Sequence, residues 1–132
     1  MIRRVLKIGR WVVDFIFAED GYDEEAVLGC LYDIDAPISV MQRADRIMDS
    51  MEYNRGFTCT NPSLRRAVVV VGPTTSGEEF INTLSHEIDH LSDSIAEYYG
   101  IKGRREGTSY LTGDTTMALA KVICRLGCHH CR

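Results

Sequence analysis

The sequence predicts an α+β fold in which a small sheet packs against helices. Three observations carry that expectation. Residues 67–71 form a β-branched run closed by Gly72-Pro73, which reads as a buried strand. Residues 76–79, Ser-Gly-Glu-Glu, form an S-x-x-E capping box that opens the longest helical signal in the chain. Strands and helices come first, and the chain then closes on a pair of helices. The expected architecture is a single domain over residues 1–132, with an edge strand before the capped helix and a C-terminal helix after it.

Each element follows from local chemistry. Residues 2–18 are rich in Val, Ile, Phe and Trp and predict one or two strands, with Gly9-Arg10 marking a turn between them. Residues 23–33 open with acids and continue with apolar residues at helical spacing, so they predict a short helix. Pro37 starts a second helix over 37–52, in which Ile38, Met41, Ala44, Ile47, Met48 and Met51 recur at three and four. Asn54, Gly56, Asn61 and Pro62 predict turns, with a short strand near residues 57–60. After the buried strand, the capped helix runs to about Tyr99 and Gly100 ends it. A loop follows, and the last helix is expected over about residues 107–126.

Composition bounds the function. The chain has 132 residues, 45% of them apolar and 26% charged, an ordinary globular mix. The formal net charge is −4 with no basic stripe, which argues against a nucleic-acid partner. The N-terminal apolar run is broken by Lys7, Gly9, Arg10 and Asp14, so it forms no signal-peptide core. No window approaches a membrane span of roughly 18 apolar residues. A cytoplasmic protein is expected. Five cysteines, an odd number with three crowded at the C-terminal end, do not form a secreted disulfide framework.

The capped helix carries the sequence's sharpest motif, His86-Glu87-Ile88-Asp89-His90. Projected at about 100° per residue, Ile81, Leu84, Ile88, Leu91 and Ile95 share the face expected to pack on the sheet. His86 and His90 fall nearly opposite, with Glu87 beside them and Thr83, Asp93 and Glu97 on the same side. Imidazoles at i and i+4 point the same way and can converge on one zinc ion at about 2.0–2.1 Å. The neighbouring glutamate reaches a water held by that ion, whose pKa falls to about 7. It takes the proton as the water attacks a carbonyl. That is the physical content of H-E-x-x-H on a helix. The bland alternative is a solvated helix face with two surface histidines.

A catalytic zinc needs a third protein ligand. Glu97 lies about 10 Å further along the helix axis and cannot close the site. Asp93 is either an acceptor for a ligating imidazole or an ordinary exposed aspartate. Glu106 opens the last helix and Asp114 follows two turns later. If both helices are straight and the reversal centres near residue 102, Asp114 is level with His90. If the first helix ends early, Glu106 is. Spacing alone leaves both open.

The strand, the capped HEIDH helix, the glycine stop and the acidic residue downstream resemble a small zincin of the gluzincin kind. Residues 106–113, E-x-x-S-Y-L-x-G, are similar to an E-x-x-A-Y-L-x-G segment in short proteins of phages and mobile elements that also carry HExxH. The resemblance covers about residues 67–113. It implies that His86, His90 and Glu106 hold Zn2+ and that Glu87 is the general base. Tyr110, one turn after Glu106, is a candidate donor to a developing oxyanion. In zincins a strand at the cleft edge pairs with an extended substrate, a role that would fall to residues 67–71.

The tail holds Cys124, Cys128 and Cys131 beside His129 and His130. A Cys3His structural metal set and a reduced, buried Cys124 are the two readings of it. The spacing also occurs in radical enzymes with an iron–sulfur cluster, but there it stands near the start of a barrel. The functional expectation is a zinc-dependent peptidase acting on a peptide or protein substrate. The alternative is a metal-stabilised interaction or regulatory module with little or no activity. A peptidase directed at one specific repressor shares the first chemistry and differs in substrate range.

Overall fold

A computed structural model describes residues 1–100 and 106–127, with residues 106–111 described by their backbone alone. The elements are β1 (Ile2–Ile8), β2 (Trp11–Phe17), α1 (Glu24–Asp33), α2 (Ile38–Ser50), β3 (Gly56–Asn61), β4 (Arg66–Val71), α3 (Gly77–Tyr98), α4 (Glu106–Ala118) and α5 (Ala120–Gly127). The fold is α+β, a four-stranded mixed sheet packed against helices.

β1 and β2 form a hairpin about Gly9-Arg10, and Gly9 takes the left-handed conformation that this tight turn requires (φ 59°). Strand order is β1-β2-β4-β3, with β2 and β4 parallel and the other pairs antiparallel. β4 is therefore interior. This corrects the expectation of an edge strand before the motif helix. Its valines are buried on both faces, and such a continuous apolar run belongs to a strand covered on both sides. The edge beside the motif helix is β3.

The pleat sorts the core into two layers. Trp11, Val13, Phe15, Phe17, Ala67, Val69 and Val71 face α3 and α5. Ile16, Val68, Val70, Phe57 and Cys59 face α1 and α2. Asp23 caps α1 by accepting from the Ala26 N–H at 3.0 Å. Ser76 caps α3 by accepting from the Glu79 N–H at 3.1 Å, as the capping box predicts.

Two helical expectations are corrected. Ile81 is 46% exposed, and Phe80, at 2%, takes the core position in that turn. The core arc is thus centred nearer β3 than the sequence projection placed it. The last helix is two helices, α4 and α5, that meet at Leu119. The Leu119 N–H is shared between the Thr115 and Thr116 carbonyls, and the Thr116 hydroxyl donates to the Thr112 carbonyl at 2.8 Å. Threonine hydroxyls that compete for backbone carbonyls disturb a helix in this way. The break turns Leu119, Val122 and Leu126 into the core. Among the described residues no helix is long and apolar enough to cross a membrane.

Candidate metal centre

The long helix α3 lies across the sheet with one flank against β3. Register decides what it meets there. Pairing sets Gly56 opposite Val71 and Thr58 opposite Val69, so both turn to the α3 face, while Phe57 and Cys59 turn to α1 and α2. Glu87 descends onto this part of β3. The Thr58 hydroxyl donates to Glu87 Oε1 at 2.8 Å. Gly56 leaves room for the glutamate stem, because a Cβ there would lie 2.9 Å from Glu87 Cγ and 2.7 Å from the Val70 carbonyl oxygen.

Glu87 is buried, 4% exposed, although the sequence places it on the polar side of the helix. Thr83, one turn earlier, is buried with it. Among the described residues no lysine or arginine comes within ion-pair distance of the Glu87 carboxylate. Its nearest ring neighbour is His90, with Nδ1 3.7 Å from Oε1. His86 and His90 stand on the exposed arc of α3, their ring centroids 4.3 Å apart. Donor atoms of His86, Glu87 and His90 lie within 4.8 Å of one another. Two donors at the zinc–nitrogen distance span at most about 4.2 Å. Small rotations of the exposed rings close that difference, so the three residues fit a zinc ion.

The group lines a cleft of about 450 Å3 between α3, the β3 edge and α2. Asn82, Thr83 and the histidines form one wall, and residues 54–58 form the floor. Arg43 and Arg55 bring two guanidinium groups to the lining. Arg55 is held by Glu52 at 2.7 Å.

The C-terminal helices pack on the other flank of α3. Thr112 donates a hydrogen bond to Ser92 at 2.9 Å. Gly77 of α3 meets Gly127 of α5, so the chain returns antiparallel to α3. The Ser92–Thr112 contact centres the reversal at about residue 102, which makes Asp114 level with His90. Ser92 lies about 120° round the helix from His86, however. Asp114 is exposed and does not join the group formed by His86, Glu87 and His90. Glu106 opens α4, about 9 Å along its axis before Thr112, level with the last turn of α3. The side chains of Glu106 and Tyr110 lie outside the described residues.

Cys124 is disulfide-bonded, so it is neither a reduced thiol nor a free thiolate ligand. That overturns the reading of a reduced Cys124 and takes it out of a Cys3His set. Cys128, His129, His130 and Cys131 lie outside the described residues. Burial pushes the Cys30 and Cys59 thiols up from their ordinary range, which keeps both in the neutral form.

Sequence reasoning found the two histidines and Glu87. It missed Thr58 and Gly56. Their signal was present in the register of an edge strand, which one chain read in isolation does not reveal. No protein-family model matches this chain, and no curated protein or solved structure matches it either.

Proposed function

We propose that the protein is a zinc-dependent peptidase. One observation carries the reading. A buried carboxylate, Glu87, has no fixed cation and faces a cleft beside two stacked histidines. Buried charges are paired or coordinate metals, and this one is oriented by a single hydroxyl from Thr58.

In this reading His86 and His90 hold Zn2+, together with a carboxylate from the C-terminal part of the chain. The family resemblance nominates Glu106; Asp114 is level with His90 but stands exposed on the other flank of α3, outside the group. Bound zinc would supply Lewis-acid polarisation and lower the pKa of water to about 7. Glu87 takes a proton from the attacking water and returns it to the leaving amine. Thr58 holds the carboxylate aimed into the cleft. The substrate is a peptide or protein, and the reaction class is hydrolysis of an amide bond.

One observation favours a second reading. His86, Glu87 and His90 by themselves offer three donors to one ion. With Glu87 as a ligand no base remains, and the metal would stabilise an interaction or regulatory module. Replacing Glu87 with Gln separates the two. A base leaves zinc near one per chain and removes hydrolysis of a peptide library. A ligand costs zinc binding itself. Zinc content by mass spectrometry, run beside a His86→Ala, His90→Ala variant, reads both. Zinc retained by that double variant would end both readings. A Glu106→Gln variant in the same assay tests the third ligand, with Asp114→Asn as the control expected to keep zinc.

A further inference from the structure

The cleft at Glu87 does not end at the histidines. A second groove of about 250 Å3 continues from it between α2 and β3. The two cavities share Arg43, Phe57 and Thr58. Their common floor is the outer edge of β3. The Gly72 N–H donates to the Arg55 carbonyl at 2.8 Å. Hydrogen-bonded pairs alternate along an antiparallel ladder, so Phe57 and Cys59 turn their backbone groups to β4, and Gly56, Thr58 and Thr60 turn theirs outward. No described strand pairs with that outer side. An unpaired edge is a template for another extended chain.

The chemistry of the two cavities differs. The second is walled by Pro37, which precedes α2, by Val40 and Ile47 of α2 and by Phe57 and Cys59, a largely apolar surface. Arg43 stands where the two meet. One turn away on either side along α2 are Ser39, Val40, Arg46 and Ile47, none of them acidic. Arg55, the other guanidinium of the cleft, is already held by Glu52. Arg43 itself makes no ion pair with a described residue. A guanidinium offers five N–H donors in a planar fork that matches a carboxylate. Placed in a cleft beside an unpaired strand edge, it is a receptor for one.

We propose that Arg43 sets substrate choice. The protein takes an extended peptide along β3 that presents a carboxylate to Arg43 and an apolar side chain to the α2–β3 groove. Residues two apart in such a strand point the same way at about 6.6–6.8 Å, so an acid and an apolar residue at that spacing would reach the two adjoining cavities together. The inference uses the peptidase reading for the fate of the peptide, while its recognition is a matter of binding alone. Two sources supply the carboxylate, an internal Asp or Glu side chain or a free C-terminus.

Binding to the zinc-loaded Glu87→Gln protein tests this without turnover. The probes are fluorescent hexapeptides, amidated at the C-terminus, with Leu fixed and Glu, Gln or Lys placed two residues away. A further arm ends the peptide at that position with a free carboxylate. Fluorescence anisotropy should show the Glu peptide, the free-carboxylate peptide or both binding about tenfold tighter than the Gln peptide, the gain expected for one hydrogen-bonded charge. Which of them does so names the source. Arg43→Gln should abolish the preference and Arg43→Glu should turn it toward Lys. Exchanging the fixed Leu for Gly should weaken binding in all three proteins. Equal binding of the Glu, free-carboxylate, Gln and Lys peptides, a preference that survives Arg43→Glu, or no binding at all would overturn the proposal. Hydrolysis of the same peptides by the unaltered protein is scored separately. Selection without cleavage sinks the peptidase reading alone, and cleavage without selection sinks this inference alone.

Discussion

Two carboxylates are buried in this molecule, and they are treated differently. Asp14, 2% exposed, lies on the α1–α2 side of the sheet. It accepts from Arg3 Nε and Nη2 at 3.1 and 2.7 Å, and Arg66 approaches its other oxygen at 3.5 Å. The hydrogen bond and charge of Asp14 hold the Arg3 guanidinium above its already high range. Glu87, on the α3 side, has one hydroxyl and a histidine ring. The first carboxylate is satisfied by strand neighbours on β1 and β4. The second has no arginine or lysine partner among the described residues and faces a cleft. Burial alone therefore does not mark a functional residue. Burial without a built-in counter-charge nominates one, because desolvating an ion is costly unless something compensates it.

The comparison breaks most visibly in catalysis and then in stability. Glu87→Gln should lower peptide hydrolysis by about 10²–10⁴-fold, the usual weight of a general base. The same change should leave the metal-free protein as stable or more stable by about 1 kcal/mol, since it removes a poorly compensated buried charge. Asp14→Asn should do the reverse. It should cost about 2 kcal/mol by urea unfolding, because Arg3 and Arg66 lose their partner yet remain partly exposed, and it should leave zinc binding alone. Equal destabilisation by the two changes would show that Glu87 is a structural carboxylate like Asp14.

Zinc itself sharpens the contrast. At a hundredfold excess over its dissociation constant it should stabilise the protein by about 2.7 kcal/mol. That gain should vanish in the His86→Ala, His90→Ala variant and persist in Asp14→Asn. A thermal shift that survives loss of both histidines would move the metal elsewhere.

The smallest expected effect concerns the support of Glu87. Thr58→Val should lower turnover about tenfold through kcat with zinc content unchanged, and Thr58→Ser should restore it. Failure of serine to rescue would make the threonine's role one of packing.

Much of this fold was legible in sequence. The β4 run, the Ser76 cap, the Gly9-Arg10 turn and the amphipathic α2 are each set by residues adjacent along the chain. Propensity, capping and periodicity act over one or two turns, so they survive reading in isolation. The HEIDH pattern is local in the same sense, since spacing alone stacks His86 on His90. The role of β4 was not legible. A buried strand and an edge strand differ by their neighbours, and β3 reaches its edge place only by pairing with β4. The break at Leu119 was also hidden, because no proline or glycine marks it.

What the sequence determined by itself was a capped helix bearing two histidines and a glutamate at the spacing a zinc site needs. Tertiary structure alone decided that Glu87 is covered by β3, that Gly56 makes room for it and that Thr58 holds it. It also laid an unpaired strand edge and Arg43 along the same cleft. The division has a physical cause. A helix fixes the relative directions of its own side chains, whereas dielectric, counter-charge and access come from whatever packs against it.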